Sequence, residues 1–228
     1  MKSEPLLSPL IIAIDGPSAS GKGTVARKLA AHFGFAHLDT GLLYRAAGTM
    51  ARAAGVAAEE DAALTAFAEK LDMNALIARL DDPALRGDEA AKLASWVAPN
   101  QAVRSALLKF QRDFCAAPPE GKAGAVLDGR DIGTVIAPDA KVKIFITASA
   151  EARAQRRFKE LQERGQKASY DAVLADMKAR DARDAQRVLA PTKPASDAVM
   201  LDTTDLDAEQ AFAEAVRIAE AKRMLCQP

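Results

Sequence analysis

The chain has 228 residues, of which 49% are hydrophobic and 27% are charged, a composition typical of a globular enzyme with room for one large α/β domain. Basic and acidic residues number 31 each, and this balance argues against a polynucleotide as the main partner, because binding to its backbone requires a basic surplus. There is no apolar run of about 18 residues and no convincing signal peptide, so we expect no membrane span. The two cysteines, Cys115 and Cys226, lack a metal-ligand spacing and suit a reducing compartment, so we expect a cytoplasmic protein.

Short apolar runs alternate with alanine-rich stretches along the chain. The runs predict strands at 10–15, 35–39, 125–129, 142–147 and 198–203. The stretches predict helices at 22–33, 41–54, 61–71, 102–114, 150–164, 170–187 and 208–224. This alternation predicts an α/β fold with a five-stranded parallel sheet flanked by helices. Residues 71–92 break the alternation, and we expect a small insert beside the main sheet there.

The segment GPSASGKGT, residues 16–24, joins the first predicted strand to the first helix. Its glycines allow the backbone to wrap an anion, the first helical turn has unpaired N–H groups, and Lys22 adds a full charge. This context predicts a phosphate-binding loop, and the alternative is a glycine-rich turn with a surface lysine. The residues assigned to ATP are Gly16, Pro17, Ser18, Ala19, Ser20, Gly21, Lys22, Gly23 and Thr24.

Gly23 follows the lysine where the usual motif has Ser or Thr, so Thr24 lies one residue late. Loops ending in GKGT resemble those of the nucleoside monophosphate kinases. The sequence also lacks the N-K-x-D segment that reads guanine in GTPases. The departure therefore favours a small-molecule phosphotransferase over a GTPase.

Polar side chains follow two further predicted strands. In HLDTGLLYR, residues 37–45, the candidates are Thr40, Tyr44 and Arg45, and the alternative is a capped helix with a solvated arginine. In LDGRDIGT, residues 127–134, an acid at 128 could hold the water shell of a metal, and an arginine at 130 could bind phosphate through two parallel hydrogen bonds. The alternative there is a polar loop with a local ion pair.

Positive charge is concentrated late in the chain, where residues 151–193 contain 11 Lys and Arg but 7 Asp and Glu. Arg180, Asp184 and Arg187 share one face of a predicted helix, although such a face can also be a solvated, salt-bridged surface. Because the arginines of 153–167 have few acids nearby in sequence, we expect them to await phosphates and this segment to be mobile without ligand.

Four segments in this order resemble bacterial cytidylate kinases, the (d)CMP kinases: IDGPSASGKGT, LDTGLLYRAAG, LDGRDIGTVIAPDAKVKIFITAS and RDARDAQRVLAPTKPASDAVMLDTT. The resemblance extends over about residues 10–204 and implies a single P-loop kinase domain spanning 1–228. It implies a core of about 9–40, 120–150 and 195–228, a monophosphate-binding region of about 40–115 and a short lid of about 153–190. The implied reaction is Mg²⁺-dependent, in-line transfer of the γ-phosphoryl group of ATP to CMP or dCMP.

The resemblance also implies roles for individual residues. The catalytic set is Lys22, Arg130, Arg157 and Arg187, and the lid arginines that meet ATP are Arg153 and Arg157. The CMP set is Thr40, Tyr44, Arg45, Ser95, Arg104, Arg130, Asp131, Arg180, Asp184 and Arg187. Within it, Ser95, Arg104 and Asp131 would read the base, and Arg180 and Asp184 would contact the sugar. The nucleotide phosphates would hold Mg²⁺, with Thr24 or Asp128 nearby and no protein cage.

Two features depart from the family pattern. The insert lacks the turn-punctuated small strands that the family usually has, and Ala19 and Ser20 depart from the common GAGKG form.

We expect a monomer that binds neither nucleic acid nor membrane. The open alternatives are another small-molecule P-loop kinase, acting on UMP or a hydroxy acid, and a nucleotide-dependent binding protein without turnover.

Overall fold

The structure is a computed structural model that describes residues 9–57 and 60–224, so Cys226 and most of the N-terminal segment lie outside it. In the described residues, five strands form one sheet in the order β2-β3-β1-β4-β5. They are β1 (Leu10–Asp15), β2 (Ala36–Asp39), β3 (Gly124–Gly129), β4 (Val142–Thr147) and β5 (Val199–Asp202). β1 pairs in parallel with β3 and β4, and β4 pairs in parallel with β5. The predicted α/β fold with a five-stranded parallel sheet is confirmed, and each strand lies within about one residue of its predicted limits.

β1 and β3 are largely apolar because helices cover the sheet. Ile12 and Ile14 of β1 are almost fully buried, and Ile144 of β4 packs with them. Val25 of the first helix and Ile218 of the last helix belong to the same core cluster. Because β1 and β3 pair in parallel, their carboxyl ends meet at one edge of the sheet, where ligands of α/β proteins bind.

The described residues contain helices both where they are predicted and within the insert. They are α1 (Lys22–Phe33), α2 (Thr40–Ala53), α3 (Asp61–Glu69), α4 (Met73–Ile77), α5 (Asp88–Val97), α6 (Gln101–Ala116), α7 (Ala150–Glu163), α8 (Tyr170–Gln186) and α9 (Ala208–Met224). Short 3₁₀ turns occupy Pro83–Arg86 and Pro119–Gly121, and a π-helical turn occupies Ile132–Ile136. No helix in these parts of the chain is long and apolar enough to cross a membrane.

The described residues form two compact units. One combines the chain up to Leu38 with the chain from Cys115 onward, and the other spans Asp39–Phe114. The second unit has nearly the limits of the predicted monophosphate-binding region, whose role stays a prediction.

The insert within the second unit is helical, and its described residues contain no strand. The Asp72 side chain caps α4 by accepting hydrogen bonds from two backbone N–H groups, as an N-cap aspartate does. α5 packs closely on α2, because a Cβ at Gly48 would lie 2.8 Å from the Leu93 carbonyl. Our sequence prediction missed α5, although its buried residues Ala90, Ala94 and Val97 follow helical spacing.

Candidate functional site

The glycine loop leaves β1 and enters α1 through backbone conformations that favour glycine. Gly16 has a φ of 149°, and a Cβ there would lie 2.0 Å from the Ile146 carbonyl oxygen of β4. Gly21 is the N-cap of α1 with a φ of 86° and makes no side-chain cap. The N–H groups of the first turn of α1 therefore have no side-chain acceptor from the cap residue, which is the usual arrangement for binding an anion at a helix N-terminus.

The side chain of Lys22 lies against its own loop. Its Nζ donates a hydrogen bond to the Pro17 carbonyl at 3.3 Å. A contact of this length is weak, so the ammonium group can exchange this carbonyl for a phosphate oxygen. Thr24 lies in the same first turn, and its hydroxyl accepts a long hydrogen bond of 3.5 Å from Arg27.

Two side chains that come much later in the sequence donate hydrogen bonds to backbone carbonyls of the glycine loop. Arg153 of α7 donates to the Ser18 carbonyl at 3.2 Å. Thr203, directly after β5, donates to the Ser20 carbonyl at 3.1 Å and also lies 3.1 Å from the Thr147 carbonyl. These contacts fix the loop from outside, so its shape depends on α7 and the end of β5 as well as on its own glycines.

The lid arginines predicted to lack acidic partners have them. Both terminal nitrogens of Arg153 bind the carboxylate of Asp181 on α8, at 3.1 and 2.6 Å. Arg157 lies 2.6 Å from Glu160. The expectation that these arginines lack local acids is therefore wrong, because the acids come from the next turn and from the neighbouring helix rather than from the residues beside them. Mobility of 153–167 stays a prediction, but it has lost that reason.

The β3–β4 turn, defined here as residues 130–136, presents an arginine and an acid directly after a fully buried strand. Arg130 is half-buried, and its Nε lies 3.3 Å from Asp184 while one Nη lies 3.3 Å from the Gly129 carbonyl. Asp131 is only 4% exposed. Asp15, at the end of β1, accepts hydrogen bonds from two backbone N–H groups of this turn.

Asp184 of α8 lies between two arginines. One carboxylate oxygen is 3.3 Å from Arg130, and the other is 2.5 Å from Arg187, the residue that follows α8. Asp184 is 4% exposed, so its charge is stabilised by these partners rather than by water. Arg180 lies one helical turn earlier on α8. The structure thus brings Arg130, Asp184 and Arg187 together from separate parts of the sequence.

Asp128, near the end of β3, is paired with a histidine that our sequence analysis did not single out. Its Oδ2 lies 2.9 Å from Nε2 of His37 on β2. Its Oδ1 lies 3.7 Å from the position of a Cβ on Gly23, in the first turn of α1. The Asp128 carboxylate on β3 and the Thr24 hydroxyl in the first turn of α1 are hard oxygen donors of the kind that Mg²⁺ prefers. The residues present therefore fit Mg²⁺ near the glycine loop.

In the second unit, α2 carries three of the predicted CMP residues. Thr40 is buried as its first residue, and Tyr44 and Arg45 lie about one turn further on. The guanidinium carbon of Arg104 on α6 lies 5.7 Å from the centre of the Tyr44 ring, within range of a cation–π contact. Arg104 also donates to the Ala98 carbonyl at 3.4 Å.

The remaining contacts in this unit are to backbone carbonyls. Arg45 donates to the Leu85 carbonyl at 2.7 Å, which ties α2 to the insert. The Ser95 hydroxyl donates to the Ala91 carbonyl one turn back on α5, at 3.1 Å. Its oxygen can still accept a hydrogen bond, because a hydroxyl has one donor and two lone pairs.

Several residues that shape the site escaped sequence analysis, chiefly Asp15, His37, Asp181 and Thr203. Asp15 had a detectable signal, since a carboxylate that ends a fully apolar strand is costly to bury without donors. The other three depend on which elements become neighbours, and the local sequence does not specify this.

A parallel sheet whose first strand runs through a glycine-rich loop into a helix N-terminus defines a P-loop nucleotide-binding protein. The family model described as cytidylate kinase matches residues 12–221. The cytidylate kinase of Paramagnetospirillum magneticum is 58% identical over 213 residues, covering 93% of this chain and 99% of that protein. The cytidylate kinase of Xanthobacter autotrophicus is 54% identical over 214 residues, covering 94% and 99%. The chain belongs to the cytidylate kinase family.

Similarity to solved structures supports the fold alone. The structure of an uncharacterized protein from Eubacterium ventriosum matches with a TM-score of 0.53 and 18% sequence identity, covering 93% of this chain and 99% of that one.

Proposed function

We propose that the chain transfers the γ-phosphoryl group of ATP to CMP, and also to dCMP, giving the nucleoside diphosphate and ADP. The observation that carries the proposal is the glycine loop of a chain in the cytidylate kinase family, whose relatives named above are cytidylate kinases. The anion-binding loop accounts for ATP, and a second set of phosphate-binding side chains accounts for an acceptor that is itself a phosphate.

The donor phosphates are assigned to the glycine loop. The backbone N–H groups at the start of α1 and the Lys22 ammonium would stabilise the negative charge that spreads over the transferring group. Arg157 and Arg153 are assigned to ATP as well. For Arg153, most N–H donors already bind protein acceptors, so its main contribution would be to hold the loop at Ser18.

The acceptor phosphate is assigned to Arg130 and Arg187. Both lie beside the carboxylate of Asp184, and two neighbouring guanidinium groups suit a phosphate dianion, which each can bind through parallel hydrogen bonds. Arg180 and Asp184 are assigned to the sugar. No general base is required, because an acceptor phosphate oxygen is already largely ionised at neutral pH and the reaction is in-line displacement between two phosphate oxygens.

The residues assigned to the base are Asp131, Arg104 and Ser95. An ionised carboxylate only accepts hydrogen bonds, so Asp131 suits the amino group of cytosine and repels the carbonyl that uracil has in its place. The Arg104 guanidinium only donates, so it suits N3 and O2 of cytosine. Thr40, Tyr44 and Arg45 complete the CMP set.

Mg²⁺ would be held chiefly by the nucleotide phosphates, with Thr24 and Asp128 near it. When bound, it neutralises charge on the phosphate oxygens. Because the residues assigned to both nucleotides come from one chain, the reaction requires no second copy, and we keep a monomer as the expected state.

The test is a coupled assay of ADP formation with ATP against CMP, dCMP, UMP, the purine monophosphates and shikimate-like alcohols. We expect CMP and dCMP to be phosphorylated with the highest kcat/KM and the alcohols not at all. Preferred turnover of UMP or of an alcohol would assign another kinase activity, and ATP binding with no turnover of any acceptor would indicate a binding protein.

A further inference from the structure

Asp15 ends β1 immediately before the glycine loop, yet its side chain serves a different segment. It is 4% exposed. One carboxylate oxygen accepts the backbone N–H of Ile132 at 2.7 Å, and the other accepts that of Gly133 at 2.8 Å. These two residues begin the π-helical part of the β3–β4 turn, directly after Arg130 and Asp131.

Through these hydrogen bonds, Asp15 of β1 caps the N-terminal end of the π-helical turn. The first N–H groups of any helical turn lack partners within the turn and need an acceptor. Asp131 stands at the N-cap position of this turn but makes no side-chain cap. Asp15 therefore supplies the acceptors for the N-terminal end of the turn.

The carboxylate fits closely against the turn. A Cβ on Gly133 would lie 3.4 Å from Asp15 Oδ2 and 3.2 Å from Cδ of Lys143. The Lys143 ammonium points elsewhere, to the Pro138 carbonyl and to Asp197. Consequently, the charged groups that influence Asp15 are those of the turn itself, Asp131 and Arg130.

We infer that Asp15 is a positioning residue for the acceptor nucleotide, which fixes Arg130 and Asp131 through the backbone of the β3–β4 turn. It touches no substrate itself. The inference rests on the proposed function, because it concerns the residues assigned there to the phosphate and base of CMP. It predicts that a change at residue 15 affects CMP more than ATP, although residue 15 adjoins the ATP loop in sequence.

The test uses Asp15→Asn in the full chain. The amide oxygen keeps one accepted hydrogen bond, but the amide nitrogen cannot accept the second. We expect kcat/KM for CMP at saturating ATP to fall by roughly 10- to 100-fold, as for other losses of catalytic positioning. KM for ATP at saturating CMP should change by less than about twofold, because the turn and not the glycine loop has lost a contact.

The matched control is Ile12→Val, which removes one methylene from the same strand without touching the turn. It should lower stability modestly and leave both nucleotide parameters unchanged. If the control shows the same CMP defect, a general loss of β1 packing explains the result, and the positioning role is overturned.

A second readout separates positioning from a purely structural role. Burial raises the pKa of Asp15 to about 6, against the lowering effect of its two hydrogen bonds to the Gly133 and Ile132 N–H groups. A protonated carboxyl, like an amide, loses an acceptor. The ratio of wild-type to Asp15→Asn kcat/KM for CMP should therefore approach one as the pH falls from about 7 to about 5, while the titration of CMP itself cancels in the ratio.

Each result is decisive. Wild-type turnover of CMP tests the proposed function by itself, and the comparison with the variant tests Asp15. A shift in KM for ATP with an unchanged CMP parameter, or a ratio that does not depend on pH, would overturn the inference. If Asp15→Asn fails to fold, Gly133→Ala disturbs the same turn, because its Cβ would lie 3.2 Å from Cδ of Lys143 while only touching Asp15 Oδ2 at 3.4 Å, and should give the same CMP-selective defect; its absence in a folded protein would also overturn the inference.

Discussion

Two arginines of the first unit, one on α7 and one in the β3–β4 turn, are held in opposite ways. Arg153 is 5% exposed and binds the Ala148 and Ser18 carbonyls and both carboxylate oxygens of Asp181. Arg130 is more exposed, and its contacts to described residues are both 3.3 Å long. An arginine whose donors are satisfied by protein stabilises the fold, whereas one with long contacts can exchange them for a substrate phosphate.

Lys22 belongs with Arg130, since its contact with Pro17 is equally long, and its removal should have the largest effect. Lys22→Ala should lower kcat by about three orders of magnitude or more, because loss of a cation from a phosphoryl-transfer site typically costs several kcal/mol of transition-state stabilisation. Its unfolding transition should match the wild type. Lys28→Ala, on the same helix and paired with Glu209 of α9, is the control and should retain activity. A folded Lys22 variant with near-normal turnover would remove this lysine from the catalytic set.

Arg153→Ala and Arg130→Ala should give opposite results. Removing the Arg153 side chain leaves Asp181 and the Ser18 carbonyl without their donor, so the free energy of unfolding should fall by about 3 kcal/mol. Removing Arg130 leaves Asp184 paired with Arg187, so stability should change by less than about 1 kcal/mol while activity is largely lost. Urea denaturation and steady-state kinetics on both variants provide the measurement. Equal loss of stability in the two variants would contradict the comparison.

The pH dependence of stability should report the burial of Asp15, which anchors the turn that carries Arg130. Burial raises its pKa in the folded protein to about 6 from an ordinary 3.8, so the folded state binds more protons than the unfolded state between these values. This contribution to stability is present below the lower value and is lost as the pH rises through about 6, by up to about 3 kcal/mol.

Chemical denaturation of wild type and Asp15→Asn between about pH 4.5 and 7 isolates this contribution. The wild type should lose stability relative to the variant as the pH rises. A difference between the two proteins that is independent of pH would show that the acid is not destabilised by burial. Activity toward CMP should change in the opposite direction over this range, because the ionised form positions the turn.

Asp131→Asn should have the smallest effect and tests whether the β3–β4 turn selects the base. An amide can turn its donor or its acceptor toward the base, so discrimination between CMP and UMP should fall by about 1–3 kcal/mol. The measurement is the ratio of kcat/KM for CMP over UMP in wild type and variant. A uniform loss for both substrates with an unchanged ratio would mean that Asp131 only orients Arg130, leaving Ser95 and Arg104 to carry specificity.

The sequence was most informative where burial was continuous. β1 and β4 are largely apolar and mostly buried, and their predicted limits coincide with the structure. α5 was missed because Pro83 and Gly87 obscure the start of a short helix whose apolar face consists mainly of alanine. Small side chains give a weak periodic signal even when they pack tightly.

The residues of the candidate site also differ in how far the sequence alone predicts them. The glycine loop was identified from local sequence, because its conformation and its chemistry are specified by consecutive residues. The pairing of Arg153 with Asp181 could not be predicted from the local sequence, because it requires α7 and α8 to lie side by side. Residues 151–193 have a surplus of basic residues, but this surplus does not indicate which arginines have acidic partners.

The conformation of Ala19 has a consequence for how this chain can be altered. Ala19 has a φ of 58°, a left-handed backbone that costs an alanine on the order of 1 kcal/mol, and it occupies a position where the common form of the loop has glycine. The loop is therefore held in a shape that one of its own residues disfavours, because Arg153 of α7 and Thr203, after β5, donate hydrogen bonds to its carbonyls. Residue 19 is thus a site at which laboratory evolution toward thermal tolerance can relieve strain with a single Ala19→Gly change, whereas a β-branched residue there would add to the strain and be selected against.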